Sequence, residues 1–323
     1  MAEPKPSLEQ ISDQLRQAEA AGDPWKEGIA LNNLGDYYKD RHESAKALEH
    51  FQKALKYFTA LDDAEKRATV LNNIGGVYVD AKQYPQAQEQ FTLALGVYGS
   101  IAHAFGQAMA LNNLGGVQMA QRRYEEARKQ FILSASFFRS AAAHAWEGQA
   151  LENLAAAEAG MGNQKAAIES YGRALQIWQQ QDQTDRQAMI LNRIATLHAA
   201  SGESRGAVEL HTRALTLAKK SNNPPLEAVT HGSLGRLHLE ARNWAAARTE
   251  LDHALRMFRE SGDKRGQAST LMNLGMLDLA TGAEMLSSAV SLFREIGDAA
   301  GEQAALDLMP DKKSPAAAED KPA

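Results

Sequence analysis

The stretch Leu31-Asn32-Asn33-Leu34-Gly35 returns along the chain at a constant spacing of 40 residues. Every copy keeps Leu or Ile in the fourth place and Gly or Ala in the fifth. The six later copies are Leu71-Asn72-Asn73-Ile74-Gly75, Leu111-Asn112-Asn113-Leu114-Gly115, Leu151-Glu152-Asn153-Leu154-Ala155, Leu191-Asn192-Arg193-Ile194-Ala195, His231-Gly232-Ser233-Leu234-Gly235 and Leu271-Met272-Asn273-Leu274-Gly275. A fixed period of this length indicates a stack of repeats, because one unit cannot bury its apolar face alone. The sequence therefore predicts seven stacked units.

Each unit has the apolar spacing of two helices. In the second half of the first unit, Ala47, Phe51, Ala54 and Phe58 follow one another at steps of three and four, which places them on one helical stripe. The recurring glycine falls inside the first helix, where it costs about 0.5–1 kcal/mol relative to alanine. We therefore expect an all-α fold in which the two helices of each unit pack closely at that glycine.

The ends of the array differ from its middle, which predicts the boundaries. We expect a disordered N-terminus over 1–7, an N-terminal capping helix over 8–23 and seven units over 24–297, the last of them shortened. A C-terminal capping helix over 298–309 and a disordered tail over 310–323 complete the chain. More polar terminal helices cover the apolar edges of a stack, and the tail is rich in Lys, Asp, Pro and Ala.

Composition excludes several classes of function. Lys and Arg number 35 against 40 Asp and Glu, for a net charge of -5, which argues against a nucleic acid as partner. No apolar run reaches the roughly 18 residues of a membrane span, so membrane insertion is not expected. The N-terminus has no signal-peptide pattern, which predicts a cytoplasmic protein. The absence of cysteine removes disulfides and thiolate chemistry.

The sequence also shows no pattern of catalytic or metal-binding residues. Its nine histidines are scattered and do not stand at metal-ligand spacings relative to carboxylates. Neither a glycine-rich phosphate loop after a strand nor a Gly-x-Ser-x-Gly turn is present. We therefore predict a protein that is not an enzyme and that needs no cofactor.

The order of residues within a unit resembles the tetratricopeptide repeat. In the first unit the matching residues are Leu31, Leu34, Gly35, Tyr38, Ala47, Phe51 and Ala54. The Leu-Asn-Asn-Leu-Gly form with its 40-residue period is similar to the long-helix subclass of kinesin light chains, Pins/LGN adaptors and bacterial regulators. The resemblance covers residues 8–309. It implies a right-handed alpha-alpha superhelical solenoid of seven helix hairpins, whose first helices line a concave groove.

The resemblance also implies that the Asn before each Leu-Gly pair binds the backbone of a peptide. In this sequence these residues are Asn33, Asn73, Asn113, Asn153 and Asn273, while Arg193 and Ser233 depart from the pattern. Arginine at this phase binds a C-terminal carboxylate in the chaperone-binding members of the family, so the resemblance makes Arg193 a candidate groove residue as well. An amide offers two donors and an acceptor, so a column of amides suits a main chain of any sequence. The alternative is that these amides cap helices or tie adjacent repeats together. Both interpretations remain open from the residues alone.

Further candidate groove residues are neighbouring amides, small residues and methionines. The amides are Asn72, Asn112 and Asn192, the small residues Gly76 and Gly116, and the methionines Met109 and Met189. Small side chains would leave an open floor, and flexible thioethers suit adaptable surfaces. The alternative is core packing, which is the more common role of methionine at helical spacing.

Three functions fit these patterns. The first is a scaffold or adaptor that binds a partner peptide or helix in the concave groove. The second is a regulatory module that senses a small peptide or metabolite and changes its superhelical pitch. The third is self-association by end-to-end stacking, which the polar ends of the array argue against and which concentration-dependent light scattering would test.

Overall fold

The computed structural model describes residues 6–277 and 282–309. The expected disordered tail over 310–323, and residues 1–5 of the expected disordered N-terminus, lie outside the described residues. The chain also divides into two larger compact parts, each of which spans several 40-residue repeats. They are Met1–Ile177, called unit 1 from here on, and Trp178–Ala323, called unit 2. The boundary falls inside one helix.

Within the described residues every regular element is an α-helix, and there are sixteen. The first nine are α1 Leu8–Ala21, α2 Pro24–Lys39, α3 Ser44–Ala60, α4 Ala64–Asp80, α5 Tyr84–Ser100, α6 Ala104–Ala120, α7 Tyr124–Ser140, α8 His144–Gly160 and α9 Gln164–Gln180. The others are α10 Thr184–Ala200, α11 Ser204–Lys220, α12 Pro224–Glu240, α13 Trp244–Ser261, α14 Lys264–Gly275, α15 Gly282–Glu295 and α16 Ala299–Asp307. The predicted all-α fold of helix hairpins is confirmed.

The turns between helices recur twice as often as the sequence motif. A residue in the left-handed region stands at every twentieth position from Gly22 to Gly262. After α7, Ala142 N–H donates to the carbonyl of Arg139 at 3.0 Å, and Ala143 N–H donates to that of Phe138 at 2.9 Å. This pair of bonds closes a helix end by satisfying its free carbonyls. The helices within a hairpin therefore have nearly equal length.

The recurring glycine marks the closest approach of the two helices in a hairpin. A Cβ atom on Gly35 would stand 2.5 Å from the ring of Phe51, and one on Gly75 would stand 2.5 Å from that of Phe91. The space is thus taken by an aromatic ring. Burying each such ring stabilises the fold by about 1.5–3 kcal/mol. In unit 2 a Cβ on Gly235 would meet Leu251 at 2.6 Å, so the same approach is kept with an aliphatic side chain.

The terminal helices cover the apolar faces of their neighbours. In unit 1, Ile11 of α1 is buried in a cluster with Leu31 and Leu34 of α2. In unit 2, Ala305 of α16 is buried in a cluster with Phe293 of α15. Each terminal helix therefore closes the exposed edge of a hairpin.

The left-handed turn residues provide a test of the turn geometry. Ala142 has a φ of 52°, a conformation that a Cβ disfavours, whereas the adjacent Ala141 has a φ of -85°. We expect Ala142→Gly to raise the free energy of unfolding by about 0.5–1 kcal/mol, measured by urea denaturation. Ala141→Gly is the control and should lower it, because only backbone entropy changes there. Equal effects of the two substitutions would contradict the turn.

Candidate functional site

A concave space of about 590 Å³ opens on the first helices of the hairpins in unit 1. We call it the amide groove. Eight of the predicted site residues line it, namely Asn72, Asn73, Asn112, Asn113, Asn153, Gly76, Gly116 and Met109. Its volume lies within the range of about 300–1,000 Å³ that is common for ligand sites.

The asparagines of the groove bond to one another from repeat to repeat. The three bonds, each donated by Nδ2 and accepted by Oδ1, join Asn73 to Asn32 at 3.0 Å, Asn113 to Asn72 at 2.9 Å and Asn153 to Asn112 at 2.9 Å. We call this series the amide ladder. It ties α2 to α4, α4 to α6 and α6 to α8, so one of the two interpretations left open by the sequence, amides that connect repeats, is present in the structure.

The amide ladder does not use all the hydrogen-bonding groups of its members. The side chains of Asn73 and Asn113 each donate one N–H, and within the described residues neither side chain makes a further hydrogen bond. Their oxygens and second N–H groups are therefore open at the wall of the groove, where both side chains are half-buried. The ladder fixes each side chain in one orientation while leaving an acceptor and a donor for a ligand.

The two predicted floor glycines differ in what stands over them. A Cβ on Gly116 would have no heavy atom within 4 Å other than those of its own helix backbone and chain neighbours, so the floor is open there. A Cβ on Gly76 would stand 2.9 Å from Nζ of Lys39, so that glycine lies under a lysine side chain. Sequence reasoning missed Lys39. It shares its repeat phase with Val79 and Met119, which also line the groove, and this phase is the signal that would have found it.

Five predicted residues do not line the amide groove. In unit 1, Asn33 lines a second space of about 770 Å³, here called the N-terminal cavity, beside Leu8, Asp36 and Lys39. In unit 2, Asn273 lines a shallow space of about 350 Å³. The remaining three also belong to unit 2, where Arg193 is exposed, Met189 is half-buried and Asn192 is buried.

A family comparison agrees with this architecture. The Tetratricopeptide repeat family model matches residues 27–100, 106–180 and 146–220, which together make up more than half of the chain. The chain belongs to the tetratricopeptide-repeat family. A search of curated proteins by sequence finds no significant match. Within the described residues of this tetratricopeptide-repeat protein, no helix combines the length and apolar character needed to cross a membrane.

Solved structures share the tetratricopeptide-repeat fold at low identity. Aspartyl phosphate phosphatase F from Bacillus subtilis aligns with a TM-score of 0.64 and 16% identity, over 93% of this chain and 75% of that one. The Rap conjugation gene regulator of plasmid pLS20, in complex with the Phr* peptide, aligns with a TM-score of 0.52 and 15% identity, over 91% and 80%. A kinesin light chain from Podosopora anserina, with nearly identical TPR-like repeats, aligns with a TM-score of 0.53 and 15% identity, over 62% and 97%. The resemblance to kinesin light chain repeats is confirmed.

In unit 2 of the tetratricopeptide-repeat protein, Asn192 belongs to a buried polar network. Its Oδ1 accepts a hydrogen bond from Nδ1–H of His211 at 2.7 Å, and its Nδ2 donates one to the hydroxyl of Thr230 at 2.6 Å. His211 is fully buried, stands in the repeat phase of Phe51, and has no partner for Nε2 within the described residues. The amide of Asn192 thus hydrogen-bonds to buried side chains and not to the groove, so this residue is not part of the proposed binding site.

The His211 network predicts acid sensitivity. Burial, with a smaller contribution from the charge of Arg236, lowers the pKa of His211 from 6.5 to about 4. Because the folded pKa lies below the unfolded one, the contribution of neutral His211 to the free energy of unfolding is fully present above pH 6.5. It is lost as the pH drops from there to about 4. The loss from this group is about 3 kcal/mol in total.

Urea denaturation of wild type and His211→Phe, each at several pH values between neutral and mildly acidic, tests this dependence. Other titrating groups are common to both proteins, so the difference between their pH slopes isolates the imidazole. We expect the variant to lose much less stability on acidification. Parallel pH profiles would show that His211 is not the acid-sensitive group.

The amide ladder predicts that asparagines of one repeat phase differ in their effect on stability. The Asn113 side chain donates a ladder bond, whereas the side chain of Asn33, at the same phase, makes no hydrogen bond within the described residues. Replacement by alanine raises helix propensity equally at both sites. We therefore expect Asn113→Ala to be less stable than Asn33→Ala by about 1 kcal/mol, the net value of one hydrogen bond. Equal unfolding free energies, measured with urea, would show that the ladder bond contributes no stability.

Proposed function

We propose that the amide groove of unit 1 binds an extended peptide or a helical segment of a partner protein, and that the chain acts as a scaffold or adaptor without catalysis. The observation that carries the proposal is the pair of half-satisfied amides, Asn73 and Asn113, on the wall of a concave space. Their open oxygens and N–H groups match the donors and acceptors of a peptide main chain.

The amide ladder makes this site favourable for binding. A free asparagine side chain loses rotamer freedom when it bonds a ligand, and each immobilised side chain costs about 0.5–1.5 kcal/mol. In the groove that cost has largely been met during folding, because a neighbouring amide already holds each side chain. The two interpretations of the asparagines thus support each other, since the bond that ties two repeats also orients the remaining groups toward the ligand.

The surroundings of the amides suit a main chain more than a compact metabolite. Gly116 leaves the floor open at the middle of the groove, so a ligand backbone can approach the helix closely. Val79, Met109 and Met119 add apolar and adaptable surface for side chains that alternate with the bonded backbone groups. A partner segment would therefore be held by its backbone and selected by its side chains.

A second candidate function is the sensing of a free signalling peptide. It is favoured by the structural likeness to the Rap regulator that was solved with the Phr* peptide, a likeness that by itself shows only the fold. The name of aspartyl phosphate phosphatase F likewise transfers no activity at 16% identity. An adaptor binds its segment as part of a folded protein, whereas a sensor binds a short free peptide. Native mass spectrometry of the protein purified from its own cells distinguishes them by the mass of the ligand. A cytoplasmic location and self-association stay predictions.

The groove is tested by filling it without breaking the amide ladder. Gly116→Gln puts a side chain into the open floor, and it should raise helix stability by about 0.5–1 kcal/mol because glycine is a poor helix former. We expect it to weaken peptide binding by about tenfold or more. The probe is a phage-displayed library of random short peptides panned on the wild type, and the enriched peptides are then measured by fluorescence anisotropy.

Gly96→Gln is the matched control. Gly96 is also a mid-helix glycine, and its Cβ position likewise has no heavy atom within 4 Å other than those of its own helix backbone and chain neighbours. It belongs to α5 and does not line the groove. The substitution and the gain in helix propensity are therefore the same. Retention of binding by Gly96→Gln and loss by Gly116→Gln would support the groove. Equal affinities of both variants and the wild type would place the site elsewhere.

A further inference from the structure

Lys39 occupies a junction between two concave spaces of unit 1. It is the last residue of α2, its side chain is half-buried, and its ammonium lies over Gly76 of the next first helix. It lines both the amide groove and the N-terminal cavity. A ligand chain that leaves the groove at its α2 end therefore passes this ammonium group.

The ammonium of Lys39 has no carboxylate partner in the part of the chain that the structure describes. Acidic residues stand nearby, with Asp80 lining the groove and Asp36 and Asp40 lining the cavity. Among the described residues none of them forms an ion pair with Lys39, and the side chain makes no hydrogen bond. Partial burial of a charge without a partner raises the free energy of the unbound protein, and an anion that binds there offsets this increase. The groove thus offers a cation to its ligand.

The residues that hold the position of Lys39 in the next two repeats indicate which other side chains of a ligand the groove favours. Val79 and Met119 hold the same place in the next two repeats and line the groove. One repeat therefore presents a positive charge and the following two present apolar side chains. A complementary ligand has an acidic residue at one end of its bound segment and apolar residues along the remainder.

We propose that Lys39 selects, in the peptide bound by the amide groove, an internal Asp or Glu that is followed along the groove by apolar side chains facing Val79 and Met119. This inference rests on the proposed function of the groove. The carboxylate belongs to a side chain and not to a peptide C-terminus, because the N-terminal cavity continues beyond Lys39 and leaves about 770 Å³ for the chain to extend. A charge-assisted hydrogen bond from Nζ to the carboxylate gives the contact its selectivity.

The test pans the same phage-displayed library of random short peptides on wild type, Lys39→Met and Lys39→Glu. The displayed peptides are joined to the coat protein through their C-termini, so they carry no free C-terminal carboxylate. We expect wild type to enrich peptides with Asp or Glu at one fixed position next to apolar residues. Lys39→Met should lose that acidic preference and keep the apolar one, and Lys39→Glu should replace it with Lys or Arg. Lys56→Met, an exposed lysine of α3 outside the groove, is the control and should select like wild type.

A double-mutant cycle measures the contact directly. An enriched peptide is synthesised with an amidated C-terminus, and its acidic residue is then changed to the matching amide. The change should lower affinity for wild type by about tenfold and leave affinity for Lys39→Met nearly unchanged. The wild-type affinity should also fall with added salt, because ion pairs at an accessible groove are screened.

Three results would overturn the inference, and they separate it from the proposed function. Peptides whose binding depends on Gly116 but that show no acidic preference would remove the role of Lys39 and keep the groove. Tighter binding of an enriched peptide when its amidated C-terminus is replaced by a free carboxylate, with that gain lost in Lys39→Met, would assign Lys39 to a chain terminus. A library from which no Gly116-dependent peptide is enriched would overturn the inference and the proposed function together.

Discussion

The contact of an aromatic ring with a glycine backbone sets the geometry of the hairpins in unit 1. The rings of Phe51, Phe91 and Phe131 occupy the space that a Cβ on Gly35, Gly75 or Gly115 would need. In these three hairpins the two helices therefore approach most closely at the glycine, where a side chain is missing. This fixes their register, and the register places the asparagines on the opposite side of the first helix, at the groove. The amide ladder depends on that placement, because its bonds are 2.9–3.0 Å long and tolerate little displacement.

Much of the fold could be predicted from the sequence because the sequence repeats itself. Helical apolar spacing and seven copies of one motif were enough for the helix hairpins and their order. The 20-residue recurrence of the turns escaped notice, since the left-handed place is filled by residues as different as Gly22, His42, Ala102 and Arg122. Backbone hydrogen bonds and not a residue type define that turn. A search for residue patterns alone therefore cannot detect it.

The candidate site was predicted less completely, for a geometric reason. Sequence phase shows that Asn72 and Asn113 lie on first helices, but their bond joins different phases of adjacent repeats, 41 residues apart. Only packing reveals that offset. Lys39 was missed because a long side chain acts away from its own repeat, over the glycine of the next one. Asn192 shows the reverse case, because the replacement of a core phenylalanine by His211 draws that amide into the interior.

The offset of the amide ladder has a consequence for how such a chain can evolve. Each bond joins an asparagine to one that stands a whole repeat plus a single residue away, so donor and acceptor are supplied by consecutive copies of the same coding segment. An in-frame tandem duplication of one 40-residue segment would therefore bring a new donor and a new acceptor at once, and would leave the existing bonds in place. Gain or loss of a whole repeat preserves the pairing, whereas an insertion of one residue inside a first helix rotates the residues beyond it by about 100° and breaks it. Selection on the length of this groove thus acts in steps of complete repeats.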